Sequence, residues 1–453
     1  MEEQKNQGKS ASEERFKLMT ETPVSKLILR LSVPTIISML VTALYNAADT
    51  FFVGRISTEA TAAVGLAFSA MAIMQALGFF CGQGSGNYLS RMLGAGNQKE
   101  AEEMAATGLA LSLILGIATG ALAIIFIRPL VSFLGAPENL IEETCSYLRI
   151  IMLGSPFMMA QFVLNNQLRY QGSAMYAMIG LLCGAILNIA FDPLMIFVLK
   201  LGVSGAAIAT VSGQAISFAV LLIGTRKGAN IRLRFKNIRL NGHYLLEIIN
   251  GGIPALFRQG LAAVATLLLN RAAGAYGEAA IAGMSVTGRV SLFVSSALIG
   301  FGQGYQPVCS FNYGAKKTSR VKEGYFFCLR YGTIFLSVMA VLCLIFAPQI
   351  IAFFRDDPAV IEVGAAALRW QAAALPLGAG IIITNMMLQS IGKGIKASLT
   401  ASARSGFCFI PLILILPQIF GLRGVETAQA VSDVLALFIC IPLAISELRK
   451  MKA

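Results

Sequence analysis

Run after run of about 20 apolar residues marks this chain, and each is long enough for a helix to cross a hydrocarbon core of roughly 30 Å. Twelve such runs stand at about 33–54, 60–84, 105–127, 144–168, 175–199, 203–224, 248–270, 280–306, 325–347, 360–389, 397–420 and 424–446. Lipid offers backbone N–H and C=O groups no partner, so every run is expected as a helix. The polar links are short and leave little room for aqueous domains. Only 13% of the 453 residues are charged, against about 25% in a soluble domain. The expected fold is an all-α polytopic membrane protein.

The basic residues orient it, because Lys and Arg of short loops are retained on the cytoplasmic side. The N-terminal tail, the links after spans 2, 4, 6, 8 and 10 and the C-terminal residues carry most of the 36 Lys and Arg; the opposite links hold only Arg55, Arg128, Lys200, Arg355 and Arg423. Both termini are therefore expected in the cytoplasm. Topology and anionic lipid account for the net charge of +13 without nucleic acid. Residues 1–25 are polar, lack the apolar core of a signal peptide and read as a retained tail. The eight cysteines lie mostly within apolar runs, without a CxxC pair, and read as packing residues.

Slid against itself by 220 positions, the chain pairs Pro34 with Pro254, Gly54 with Gly274, Gln83-Gly84 with Gln303-Gly304, Arg149 with Arg369, Pro156 with Pro376, Asn165 with Asn385 and Gly172 with Gly392. The offset slips to 219 at Gly202/Gly421 and Gly205/Gly424. The chain thus reads as a tail at 1–25, an N-lobe at 26–224 (spans 1–6), a basic linker at 225–243 and a C-lobe at 244–453 (spans 7–12, with a short cytoplasmic end). Six is even, so both lobes enter the membrane from the same side. Twelve helices in two parallel-repeat bundles around a central cavity is a transporter plan, with rocking giving alternating access.

A charge at the bilayer centre costs at least roughly 2.5–3.5 kcal/mol, so mid-span acids require a reason. The stretch "ALYNAADTFFVGR" puts Asp49 in span 1, and "LNIAFDPL" puts Asp192 in span 5, with Asn188 one turn earlier on the same face. Span 6 adds Thr210. Two carboxylates, an amide and a hydroxyl can hold a proton or a hard cation such as Na⁺. The blander alternatives are an Asp49 facing water at the outer interface and an Asp192 serving the backbone beside Pro193. In the second half Asp433 is the one mid-span acid, without an evident partner, and spans 7 and 10 offer Arg258, Gln259, Arg271, Arg369, Gln371 and Asn385 instead.

"LSVPTIISMLVTALYNAADTFFVGR", "GQGSGNYLSRMLGAGN", "VLNNQLRYQGSAMYAMI" and "LNIAFDPLMIF" resemble the multidrug and toxic compound extrusion (MATE) family, in its DinF/MepA-like bacterial branch. The likeness covers essentially the whole chain after the tail. It implies two lobes of six helices, a V-shaped cavity, and efflux of organic, mostly cationic compounds against H⁺ or Na⁺ across a prokaryotic plasma membrane. Carried over, Asp49, Asn188, Asp192 and Thr210 match the family's N-lobe cation cluster, and the Na⁺ site, if Na⁺ is the ion, falls on them. Tyr45 lies one turn from Asp49, and Pro34 matches the proline at which the first helix bends. The expected substrate cavity draws on Gln161, Asn165, Asn166, Arg258, Gln259, Met284 and Asn385. Expected partners are drug-like cations, the coupling ion and membrane lipid; no cofactor and no nucleic acid are expected, and the chain is expected to act as a monomer. In another branch the coupling acids lie on helices 7 and 10, where this chain has no mid-span carboxylate.

A competing transport reading is a flippase or exporter of anionic lipid-linked or polymeric substrates, with Arg258, Arg271 and Arg289 lining a positive cavity. An enzyme is disfavoured because no nucleophile–base set or metal-ligand cluster is found, and His243 has no partner for either. "GQGSGN" and "GFGQG" lack a preceding strand and a following lysine, and read as close helix packing. Methionines at 152, 158, 159, 175, 178, 195, 284, 386 and 387 read as packing residues, a minority of them lining the cavity.

Overall fold

The computed structural model describes residues 13–228 and 230–451, and at 43, 45–51 and 58 the backbone alone. A helix over 13–21 (α1) is followed by α2 (Val24–Gly54), α3 (Thr58–Gly94), α4 (Gln98–Ile125), α5 (Ile127–Phe133), α6 (Ile141–Leu153), α7 (Ser155–Tyr170), α8 (Ala174–Pro193) and α9 (Gly202–Gly224). After the linker come α10 (Gly242–Gly274), α11 (Glu278–Gly314), α12 (Thr318–Phe354), α13 (Pro358–Ala374), α14 (Leu377–Ser390), α15 (Gly394–Ser402), α16 (Phe409–Phe420) and α17 (Leu422–Lys450). No strand occurs among the described residues. Ten helical stretches are long and apolar enough to cross a membrane, and the bent pairs α6–α7 and α13–α14 raise the number to twelve when each is one span. The helices overshoot the apolar runs. Thus α3 continues through Ser90 and Arg91 to Gly94, because polar residues that favour a helix extend it beyond the hydrocarbon.

The bends have a local cause. The axes turn by 49° between α6 and α7 and by 57° between α13 and α14, with Pro156 in the first turn of α7 and Pro376 capping α14. Proline removes a donor from the helical ladder and crowds the preceding turn. Pro34 and Pro254, by contrast, sit inside continuous α2 and α10.

The chain forms two compact units. Unit 1 comprises the residues up to Thr22 together with Ile37–Gly252, and unit 2 comprises Pro23–Ile36 with Ile253–Ala453. These limits differ from lobes cut at 224 and 244: unit 2 holds the first turns of α2, and unit 1 holds the first turns of α10. Glycine contacts give the reason. In unit 2 a Cβ on Gly304 would lie 2.5 Å from Ser32 Cα and one on Gly300 2.8 Å from Ile36 Cα, while Ser32 Oγ donates to the Phe301 carbonyl at 3.0 Å. In unit 1 a Cβ on Gly84 would lie 2.3 Å from the Ile248 carbonyl oxygen, and one on Gly252 2.3 Å from that of Phe80. Backbone therefore touches backbone at both places, which is the close packing that the two glycine-rich stretches provide.

The largest apolar core of unit 1 gathers α3, α6, α7 and α9 around Val64, Met71, Tyr147, Ile151 and Met159. Unit 2 distributes its core over several clusters, one of them around Met284, Phe409 and Ile413.

Candidate functional site

Within unit 1, α2, α3, α7, α8 and α9 enclose a cavity of about 400 Å³, in the range of small-molecule pockets. Phe68, Met71, Met158, Phe162 and Leu181 form its apolar wall, and Thr42, Gln75, Gln161, Asn188, Thr210, Gln214 and Ser217 contribute the polar groups. Glycines hold α8 against α9. A Cβ on Gly184 would meet the Gly213 carbonyl oxygen at 2.6 Å, and one on Gly213 the Gly184 carbonyl oxygen at 2.8 Å.

The polar groups of α8 and α9 form a cluster. Asn188 Nδ2 donates to Thr210 Oγ1 at 3.4 Å, and both residues are buried. Asn188 Oδ1, Gln214 Oε1 and Ser217 Oγ are buried without a hydrogen-bond partner among the described residues. An unmet buried polar atom costs about 1–3 kcal/mol, so three on one cavity wall mark a place that a water, ion or ligand completes. Asp192 lies fully buried one turn beyond Asn188. Past Pro193 the helix opens into a π turn at Leu194–Val198, a distortion that recurs at functional sites.

Of the expected cation cluster, Asn188 of α8 bonds Thr210 of α9, and Asp192 follows Asn188 by one turn on α8, all three buried. Their amide, hydroxyl and carboxylate oxygens are the donor set that a hard monovalent cation takes. Positions 45 and 49 follow Thr42 by three and seven residues on α2, and the side chains of Tyr45 and Asp49 lie outside those described.

Of the residues expected at the substrate cavity, Gln161 borders this unit 1 cavity, and the other six have neighbours of their own. Asn165 Nδ2 donates to the Ala177 carbonyl at 2.9 Å and Asn385 Nδ2 to the Ala397 carbonyl at 2.6 Å, so the 220-residue repeat reaches individual bonds. Asn166 is engaged by the Phe162 carbonyl and by Arg169. Arg258 donates to Asn385 Oδ1 at 3.0 Å, an anchoring contact inside unit 2. Gln259 is half-buried on α10, and Met284 is packed in an apolar core. An amide can be held by the carbonyl of a neighbouring helix as readily as it can face a cavity, which is why polarity in a span was an ambiguous sign.

Two features escaped the sequence reading. Gln75, Gln214 and Ser217 line the cavity, and their only advance signal was an uncharged polar side chain within a span. Asp433 has a partner: Arg404 Nε and Nη2 donate to its two carboxylate oxygens at 2.8 and 3.2 Å. His243 Nε2 lies 2.9 Å from the Tyr88 hydroxyl, which donates to Glu100, a contact with neither a nucleophile nor a metal-ligand set.

Comparison with known proteins follows the same outline. The MatE family model matches residues 34–194 and again 254–415. The multidrug export protein MepA of Staphylococcus haemolyticus (strain JCSC1435) is 28% identical over 432 residues, 95% of each chain. A solved multidrug resistance MATE family transporter of the MOP superfamily, in an outward-facing conformation, superposes with a TM-score of 0.90 at 27% identity, covering 97% of this chain and 98% of that one. A MOP superfamily transporter from Pyrococcus furiosus, whose binding pocket is described as having reverse polarity that suggests a different function, gives a TM-score of 0.90 at 26% identity with the same coverage.

Proposed function

Because this multi-pass membrane chain belongs to the MatE family, matched once in each half, we propose that it is a secondary active multidrug exporter. In this reading it moves amphipathic organic cations out of a prokaryotic cell by alternating access, in exchange for H⁺ or Na⁺. The observation that carries it is the unit 1 cavity: apolar and aromatic walls, neutral amide and hydroxyl groups, no Lys or Arg among its described lining residues, and buried Asp192 one turn from its Asn188.

Exclusion of one cation by another supplies the coupling. A buried carboxylate is costly without a compensating positive charge, so the cluster of Asp192, Asn188 and Thr210, with Asp49 and Tyr45 assigned to it by the family resemblance, favours a proton, a Na⁺ or the charged group of a drug. Occupancy by the inward-moving ion disfavours the drug and shifts the protein toward the state that releases it. Pro34 removes one backbone donor from α2 and makes that helix the element that yields. The anionic-substrate reading is weaker, because Arg258, one of the arginines it relies on, is tied to Asn385.

Ethidium efflux from proteoliposomes under separately imposed pH and Na⁺ gradients tests the proposal. Efflux driven by at least one gradient is expected. Folded protein that moves no dye under either gradient would refute it.

A further inference from the structure

The repeat relates the unit 1 cavity to a definite place in unit 2. At an offset of 220, Gly184 of α8 corresponds to Arg404; at the offset of 219 that holds for α9 and α17, Thr210, Gly213 and Gln214 correspond to Gln429, Ser432 and Asp433. In unit 1 these positions border the open cavity. In unit 2 the corresponding side chains meet one another: Arg404 grips Asp433 with both nitrogens, Gln429 Nε2 donates to Asp433 Oδ1 at 2.9 Å, and Ser432 Oγ donates to the Arg404 carbonyl at 2.7 Å.

The backbone is adapted to this arrangement. A side chain at Gly184 would strike α9, yet its counterpart carries the longest basic side chain. The helix makes room with a π turn at Ala403–Phe407, which widens the coil by one residue and frees a carbonyl. Ser432 satisfies the carbonyl of Arg404. Helix, hydroxyl, amide and carboxylate all serve to seat one guanidinium, in a bidentate geometry that Arg forms and Lys does not.

We infer that Arg404 is a tethered counter-cation, occupying in unit 2 the role that an exchangeable cation fills in unit 1 and keeping Asp433 out of ion exchange. This rests on the reading that the Asp192 cluster of unit 1 is the coupling site. Asp433 is buried to 3% exposure, and among the described residues Arg404 is the only basic side chain bonded to it. Among the helices packed on α17, α14 and α16 carry no charged residue, α13 carries Glu362 and Arg369, and Lys396 of α15 is paired with Glu447. On α17 itself the next acid is Glu426, two turns away. Without Arg404, a buried carboxylate of the same kind as Asp192 would be left with an amide as its bonded neighbour and would recruit a free cation.

The test measures cation uptake by the purified full chain, as proton uptake on acidification through the neutral range and as radiolabelled Na⁺ binding. Arg404→Gln is expected to take up about one more monovalent cation per chain than the parent, whereas Arg404→Gln/Asp433→Asn should show no excess. Equal uptake by Arg404→Gln and the parent, or excess uptake that persists in the double variant, would overturn the inference. Repeating the comparison on an Asp192→Asn background separates the two claims: if the parent uptake survives Asp192→Asn, the unit 1 reading fails, while the difference made by Arg404→Gln still decides this one. Should Arg404→Gln not fold, the neutral double variant carries the test. Its ethidium efflux should keep the ion-to-dye ratio of the parent, and loss of coupling in the folded double variant would overturn the inference.

Discussion

On the proposed reading Asp192, fully buried one turn from Asn188, whose side-chain oxygen has no partner among the described residues, carries coupling charge in unit 1 together with Asp49. Asp192→Asn keeps the size and removes the charge, so gradient-driven efflux should fall to background while ethidium binding, followed by fluorescence, persists. Asp192→Glu keeps the charge and should retain more transport than Asn. Background-level loss with both substitutions would be uninformative only if the proteins unfolded, and thermal unfolding in detergent reads that directly; wild-type efflux by a folded Asp192→Asn variant would rule out the mechanism. At this scale the sequence was a partial guide. An acid in a span announces itself, because burial of charge is costly. An amide does not, since Asn165 and Asn385 spend theirs on helix carbonyls whereas Gln161 and Gln214 face the cavity. Asp433 was visible as a mid-span acid, but its pairing with Arg404 joins two spans in which the repeat keeps few residue identities.

Elements were legible to the extent that their cause is local. Twelve apolar runs anticipated the spans, and Pro156 and Pro376 mark the two bends. The π turn at 403–407 has no comparable signature, because the carbonyl of Arg404 within it is met by Ser432 on a neighbouring helix. Glycine positions divide in the same way. Gly304 of α11 is pressed on the Ser32 backbone, while a Cβ on Gly260 of α10 would meet nothing within 4 Å. Gly304→Val should therefore lower the thermal stability by about 1–3 kcal/mol or more, the usual penalty for overpacking. Gly260→Ala should leave it unchanged or raise it by about 0.5–1 kcal/mol through helix propensity. Equal melting temperatures for the two variants would contradict the packing described for α2 and α11.

For the molecule as a whole, the distribution of the basic links leads us to expect both termini and residues 225–243 on the cytoplasmic side. On a background with the native cysteines replaced, a thiol introduced beside Arg355 or Gly421 should react with an impermeant reagent added outside intact cells, and one at Lys236 should not. Labelling at Lys236 from outside would reverse the assignment. The duplication itself was plain in the sequence, since a constant offset needs no structure to be seen. The membership of the two compact units was not, because it depends on backbone contacts between residues more than 150 positions apart, such as Gly84 with Ile248 and Ser32 with Gly304. That exchange bears on biosynthesis. A ribosome that has delivered only the first six spans has made residues 23–36 before the helix they pack on exists, and has left the Phe80–Gly84 surface of α3 waiting for residues 248–252. The first unit to be synthesised is thus completed by the second half of the message, so the nascent half-transporter remains unfinished in the bilayer until α10 and α11 have emerged.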